Sequence, residues 1–391
     1  MTRADVVVVG ARCAGAAVAR LLARAGVSVI LVDRAPRGAD TTSTHALMRG
    51  AVAQLARWGL LDRIIAAGTP PIRQTTFWYD DDSITIPITP RDGIDALYAP
   101  RRTVLDAVLL DAAEAAGARV FDRSRITALV RRTDGRIGGL EMVDAGQRRK
   151  VLRAPLVIGA DGLRSTVAEL VGAQVVEQFT HATAALYTYF DGLAVEGTNW
   201  YFGHKVAAGA IPTNGGRTGV FVLVPPDRFA AQFRNDRLAG FLDTLRLVAP
   251  ALADQIGTTR PAEPFRGFGG HPGQVRQSIG PGWALVGDAG AFRDPITSHG
   301  ITDALRDAEF LADAVLDAGP DAWQHYVKRR DRASRPVAAL TDAIASLSWT
   351  MDEVRELHHD LSRAMNQSAK SALESPPPAR AASSYGVTVP A

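Results

Sequence analysis

Glycines and acids at two strand-to-helix turns and one strand end carry the chemistry legible in this chain. The first group is Gly10, Arg12, Cys13, Ala14 and Gly15, followed by Asp33 and Arg34. Four valines run into Gly10, and an Ala/Leu-rich stretch follows, so the turn opens a helix. Free N–H groups at such a turn, with the positive end of the helix dipole behind them, suit the pyrophosphate of a dinucleotide. Gly10 supplies the turn and Gly15 allows close helix–strand packing. Asp33, ending the next strand, can take a pair of ribose hydroxyls. An acid there favours the unphosphorylated ribose of FAD or NAD over NADP. Arg12 stands where the middle glycine of G-x-G-x-x-G belongs, so its side chain must leave the contact or replace it. Arg34 is open to adenine stacking or to solvent. An ordinary βαβ turn would also explain this group taken alone.

The second group lies in Leu156–Gly172, a buried strand ending in Gly159-Ala160-Asp161-Gly162 and continuing through Arg164 and Ser165. The third lies in Gly280–Val315, with Gly287-Asp288-Ala289 at a strand end, Pro295, and Gly300-Ile301-Thr302 opening a helix. Arg101-Arg102-Thr103 opens another helix.

In that order these groups resemble the fingerprints of flavoprotein monooxygenases of the para-hydroxybenzoate hydroxylase type, in the superfamily that also holds geranylgeranyl-reductase-like FAD oxidoreductases. The resemblance covers most of residues 5–317. It implies FAD, with NAD(P)H as a transient reductant that needs no domain of its own. It places Asp161 near the flavin and the nicotinamide approach, and Asp288 on the ribityl chain. The amides of Ile301 and Thr302 would face the flavin N1–C2 carbonyl, where a helix N-terminus stabilises the anionic reduced ring. Arg102 would contact phosphates or ribityl. Cys13, Ala14, Ile126, Pro295 and Gly300 belong to the same cofactor set. Asp294 and Ser298 depart from the pattern, replacing its first proline and the first glycine of G-x-G.

The leading activity implied is monooxygenation, hydroxylating or epoxidising an aromatic or polyene molecule through oxygen added at flavin C4a. A geranylgeranyl-reductase-type C=C reductase or dehydrogenase, and a non-catalytic FAD-bound scaffold, remain as rivals. With Cys13 as the one cysteine, a disulfide reductase is excluded. No lysine precedes Lys150, and the nearest echo of the halogenase W-x-W-x-I-P signature, Gly209-Ala210-Ile211-Pro212, lacks both tryptophans.

The elements that must position these groups follow from periodicity. Strands are expected over Asp5–Gly10, Val27–Asp33 and Pro155–Gly162, with a short one in Pro281–Asp288; helices over Cys13–Ala25, Thr44–Trp58, Arg102–Ala116 and Gly300–Leu316. Phe77–Pro87 reads as strand broken by an acidic turn at Asp80–Asp82, and Val120–Arg132 with Gly138–Val143 as a hairpin. From Ala182 to Val224 aromatic and β-branched residues indicate antiparallel strands. The fold class is α/β: a Rossmann-like FAD-binding domain with a parallel sheet (1–75, 99–175, 275–318), and a mostly antiparallel substrate-binding sheet (76–98, 176–274). C-terminal helices (319–374) and an extended Pro/Ala/Ser-rich tail (375–391) complete it.

Substrate is expected between the flavin and the second sheet, against Tyr187, Tyr189, Trp200, Tyr201, His204 or Phe221, each of which serves equally as sheet core. His299 and His45 are the catalytic candidates, as bases near neutral pH; His299 could instead simply pack its loop, and His45 could gate or contact FAD. His358 and His359 read as solvated. No metal constellation is present.

Of 391 residues, 47% are apolar and 22% charged, and the net charge is +3. The arginines are scattered rather than clustered, which speaks against a nucleic-acid face. No stretch approaches the length of a membrane span, and the N-terminal apolar run is too short for a signal segment. The expected protein is cytoplasmic, takes a small-molecule substrate and molecular oxygen, and is a monomer or a homodimer.

Overall fold

The computed structural model describes residues 2–257, 259–317, 319–373 and 389–390. Four short all-apolar or glycine-ended strands, Val6–Val9, Val29–Val32, Leu156–Gly159 and Trp283–Leu285, join Arg119–Phe121 in one parallel sheet, with Ile279–Gly280 added antiparallel at an edge. Val8 pairs with Ile158 on one side and Leu31 on the other. Such strands are apolar throughout because both faces are covered. Val6 and Val8 face the helices α1 (Cys13–Arg24), α2 (Arg49–Arg57) and α3 (Arg102–Ala115), together with α4 (Gly300–Leu316). Val7 and Val9 face a four-stranded sheet made of Thr2–Arg3, Arg125–Arg131, Ile137–Val143 and Arg149–Arg153.

A seven-stranded sheet runs in the order 266–268, 184–191, 217–224, 206–213, 198–203, 74–79, 82–87. It is antiparallel except where Thr198–Gly203 lies parallel to Gln74–Tyr79. Strand alternation divides its side chains. One face, with Tyr187, Tyr189, Trp200 and Phe221, packs on α5 (Ala322–Ala345) and α6 (Met351–Leu373). The other, with Phe190, Val220 and Val222, packs on the helices between Pro226 and Ile256. Strands 175–178, 274–276 and 291–292 form a small third sheet.

Two expected elements are corrected. The helix expected from Thr44 begins at Arg49. Leu47 N donates to Tyr98 O at 2.9 Å, so Leu47 forms an isolated bridge in a non-helical segment, and His45 takes a left-handed φ of 49°. Val120–Arg132 is two strands in two sheets. Asp33 N donates to Phe121 O and Ser124 N donates to Asp33 O, which pins this segment at the end of the parallel sheet before it turns away at Arg123. Of the predicted tail, 375–388 and 391 lie outside the described residues.

Candidate functional site

An open cleft of about 240 Å³ lies at the carboxyl ends of the parallel strands, between the first turns of α1 and α4. In open α/β sheets ligands bind in this position. Gly10 has φ of +102°, and a Cβ there would sit 2.3 Å from Ala160 O. A Cβ on Gly15 would sit 1.7 Å from Gly10 O. Side chains are therefore excluded where the strand turns into α1, which leaves the helix's first amides open to a ligand. Asp33 closes the other side. Its Oδ2 accepts from Ala11 N at 2.6 Å and its Oδ1 from Ala35 N at 2.7 Å, so its carboxylate is fixed at the cleft wall.

The middle of the cleft is charged. Arg102 bonds Asp106 at 2.9 Å, and Cys13 Sγ also reaches Asp106, at 3.3 Å. Burial pushes the Cys13 thiol far up, so it is not a nucleophile. Asp161 Oδ1 accepts from Ser165 Oγ, and Oδ2 from Thr166 N at 2.7 Å, capping the following short helix while its carboxylate still lines the cleft. Ile126, brought in by the broken segment 119–131, forms part of the wall with Ser124 and Arg125.

Asp288 lies beyond them, on a single helical turn after Trp283–Leu285. Its surface is partly open to the cleft, yet protein surrounds it closely. Desolvation pushes its carboxyl up to about 6, against the pull of Arg102. No protein group hydrogen-bonds it among the described residues. A half-buried carboxylate without a protein partner, glycines that keep side chains off a helix N-terminus, and an acid fixed at the far wall together fit FAD. Gly300, Ile301 and Ala304 of α4 complete the cleft.

The family model described as "FAD binding domain" matches residues 3–341. The chain belongs to this FAD-binding family. It is an FAD-dependent oxidoreductase. Among curated relatives, it is 26% identical over 380 residues to a digeranylgeranylglycerophospholipid reductase of Methanothrix thermoacetophila, covering 92% of this chain and 91% of that one. It is 29% identical over 369 residues to a menaquinone reductase of Mycolicibacterium smegmatis, covering 87% and 85%. Among solved structures, flavin-dependent brominase Bmp2 superposes with a TM-score of 0.78 at 17% identity, over 95% of this chain and 93% of that one. PqsL of Pseudomonas aeruginosa, described as a probable FAD-dependent monooxygenase, gives 0.76 at 21% identity, over 93% and 100%. These two share the fold.

Of the residues expected around FAD, Gly10, Arg12, Cys13, Ala14, Asp33, Arg34, Arg102, Ile126, Asp161, Asp288, Gly300 and Ile301 all line the cleft. Four do not. Gly15 packs behind the turn. Thr302 is turned inward against Gly50, its hydroxyl buried without a partner. Pro295 opens the single turn Pro295–Thr297, which Asp294 caps by accepting from Ile296 N at 2.9 Å. His45 is carried away by its left-handed backbone and is buried between Ala99 O, at 3.2 Å from Nδ1, and Tyr189 Oη, at 2.9 Å from Nε2. Burial, then the charge of Arg101, lowers its pKa to about 3, which leaves it neutral and poorly placed as a base.

The substrate candidates separate by sheet face. Tyr187, Tyr189, Trp200 and Phe221 share the face toward α5 and α6. Tyr201 lies on the opposite face, stacked on Trp78, because alternation sends it away from Trp200. His204 sits exposed in the turn after Thr198–Gly203. His358, expected in solvent, instead packs on Phe202 at 4.3 Å between ring centres and meets Tyr79 Oη at 2.9 Å.

His299, the residue before α4, is buried, with Nδ1 3.1 Å from Asp303 Oδ1. Sequence reasoning missed the charges behind it. Asp303 pairs with Arg293 at 2.8 Å and with Arg306 at 2.6 Å. It also missed Arg101, which lies 3.9 Å over the Tyr189 ring and pairs with Asp40 and Glu263. Its only signal was a second arginine beside Arg102. Among the described residues no metal-binding cluster occurs, and no helix is long and apolar enough to cross a membrane.

Proposed function

We propose that the protein uses NAD(P)H, by way of FAD, to reduce a carbon–carbon double bond in an apolar small molecule. The observation that carries this reading is the activity for which the digeranylgeranylglycerophospholipid reductase relative is named, matched over most of both chains. A digeranylgeranylglycerophospholipid holds isolated double bonds and offers no easier group to reduce. Bound FAD supplies the electron pair and one hydrogen. The first amides of α1 hold its pyrophosphate, Asp33 its ribose and Asp288 its ribityl chain. The amides of Gly300 and Ile301 favour negative charge on the reduced ring.

A second reading is monooxygenation of an aromatic or polyene substrate with molecular oxygen. The hydroxylase-like fingerprints favour it. Geranylgeraniol supplied with NADPH and NADH, without and then with air, separates the two. Sustained anaerobic NAD(P)H oxidation with a product heavier by two hydrogens supports reduction. Turnover that needs air and yields a product heavier by one oxygen overturns it in favour of monooxygenation.

A further inference from the structure

A second cavity lies across the first turn of α4 from the cofactor cleft. Gly300 lines the cleft, whereas His299 lines the cavity. Met48 and Gly50 at the start of α2, Phe77 and Ile88 beside the strand pair 74–87, and Leu361 and Met365 of α6 form its walls. It is open on one side and has a volume of about 190 Å³, room for part of a small molecule. Its walls are apolar, and its polar members divide unequally. His358 Nδ1 is taken by Tyr79 Oη. Arg49 is turned to the backbone oxygens of Ile94 and Thr89. His299 differs: 2% exposed, it uses Nδ1 on Asp303, and Nε2 has no protein partner among the described residues. That edge is left to the cavity, where a water or a ligand can reach it.

The ring is also unusually well fixed. Asp303 is held from the loop before α4 by Arg293 and from within α4 by Arg306, which itself bonds Ser368 of α6 at 2.9 Å and Asp307 at 2.6 Å. Burial alone would raise the Asp303 carboxyl, but Arg293 and then Arg306 hold it well below the ordinary carboxylate range. A permanent carboxylate keeps the Nδ1 proton on the ring and sends any second proton to Nε2, toward the cavity.

We propose that this cavity takes the apolar part of the substrate, a linear hydrocarbon chain or its like, and that His299 hands it a proton from Nε2. The proposal rests on the reading of the protein as a double-bond reductase. Reduction of one double bond takes an electron pair and one hydrogen that come from NAD(P)H, and one proton on the neighbouring carbon. His299 gives that proton as the charged ring, Asp303 stabilises the charge, and solvent returns the proton afterwards. His358 does not serve, since burial holds it near 4 and Tyr79 occupies its Nδ1.

The test uses the FAD-loaded full chain and geranylgeraniol as probe. Titration should perturb the flavin absorbance saturably. Met365→Trp, which fills the cavity, should weaken that binding at least about tenfold with flavin content unchanged. His299→Gln should keep probe binding and flavin content, yet lower kcat about 10²–10⁴-fold with little change in KM. Added imidazole should restore part of the activity of His299→Ala. Wild-type probe affinity in Met365→Trp, or wild-type kcat in His299→Gln, overturns the proposal while leaving the reductase reading in place. Saturable binding with the expected response of Met365→Trp but no anaerobic reduction by the wild type sinks the reductase reading and the proton-donor role, and keeps the site. Absence of probe binding by the wild type removes the site as well.

Discussion

The cofactor cleft and the apolar cavity meet at the start of α4, where Gly300 lines one and His299 the other, but opposite means build them. The cleft is polar and framed by backbone. Gly10 and Gly15 remove side chains, helix starts present amides, and Asp33, Asp161 and Asp288 stand at strand ends. The cavity has little framing backbone of its own; side chains from residues 48–50, 77–97 and 358–369 meet there only because α6 crosses the sheet face. Breaking the cleft is therefore a matter of local geometry, whereas breaking the cavity needs a change in packing at long range. A shared ligand scaffold attached to a variable side-chain pocket is also what lets one fold host several chemistries.

The contrast breaks most severely at Gly15. Gly15→Val places a Cβ where Gly10 O already lies, and the backbone must part by more than an ångström. Overpacking commonly costs about 1–3 kcal/mol, and here it falls directly on the pyrophosphate turn. Purified Gly15→Val should be colourless or insoluble, measured as the flavin-to-protein ratio. A yellow, fully loaded variant would mean that α1 can slide without loss of the site. A substitution of equal size in the cavity wall should leave flavin content intact.

Asp288 gives the next effect, and one whose sign depends on pH. Its folded pKa of about 6 exceeds the unfolded carboxylate value of 3.8. Between those values the unfolded chain has lost a proton that the folded chain retains. The contribution to apoprotein stability is thus intact below about 4 and is lost as pH rises through 6, by up to about 3 kcal/mol before cleft water is allowed for. Ribityl hydroxyls prefer the ionised form, so FAD should bind more tightly as pH rises through the same window. Asp288→Asn should weaken FAD binding about tenfold to a hundredfold at neutral pH and flatten its pH dependence, while raising the apoprotein Tm. Asp294, also pushed to about 6 by burial, contributes its own slope equally in both proteins. If the variant lowers the apoprotein Tm at neutral pH, Asp288 is not the strained group that its surroundings indicate.

The same contrast governs what could be read from the sequence. Gly10, Asp33, Asp161, Asp288 and the start of α4 were legible because turn chemistry and strand ends are local, and each motif spans a few residues. Helix α4 was expected over Gly300–Leu316, as found. His45 misled because the bridge from Leu47 to Tyr98 is a tertiary contact that overrides helical periodicity. Tyr201 misled because an aromatic run names a strand without saying which side chains face the site; that parity depends on register with its neighbours. The Arg293–Asp303–Arg306 cluster escaped notice because its members look like an ordinary charged helix start, and only burial reveals their purpose. The cavity itself had no local signal at all, since α6 supplies a wall from more than 250 residues beyond Phe77.

The smallest expected effect belongs to Arg12, where the two kinds of construction meet. Its guanidinium lines the cleft, as a substitute for the missing glycine should, but Nη1 donates to Thr41 Oγ1 at 2.6 Å. Thr41 belongs to the loop that the second sheet grips: Tyr187 Oη accepts from Ser43 N at 3.0 Å and donates to Thr41 O at 3.3 Å, and Arg101 holds Asp40. Arg12 can therefore act on FAD directly, by charge on phosphate, or through the loop, by keeping it closed over the cleft. Arg12→Gly paired with Thr41→Val decides. Both remove the Arg12–Thr41 bond, each at about 1 kcal/mol, or about fivefold in FAD affinity. A direct contact makes Arg12→Gly the worse of the two and flattens the salt dependence of its FAD binding, because one screened charge pair is gone. Equal losses with unchanged salt dependence place the effect in the loop. Affinity that holds or rises in Arg12→Gly overturns both roles, and makes Arg12 a side chain that a slightly wider turn merely tolerates.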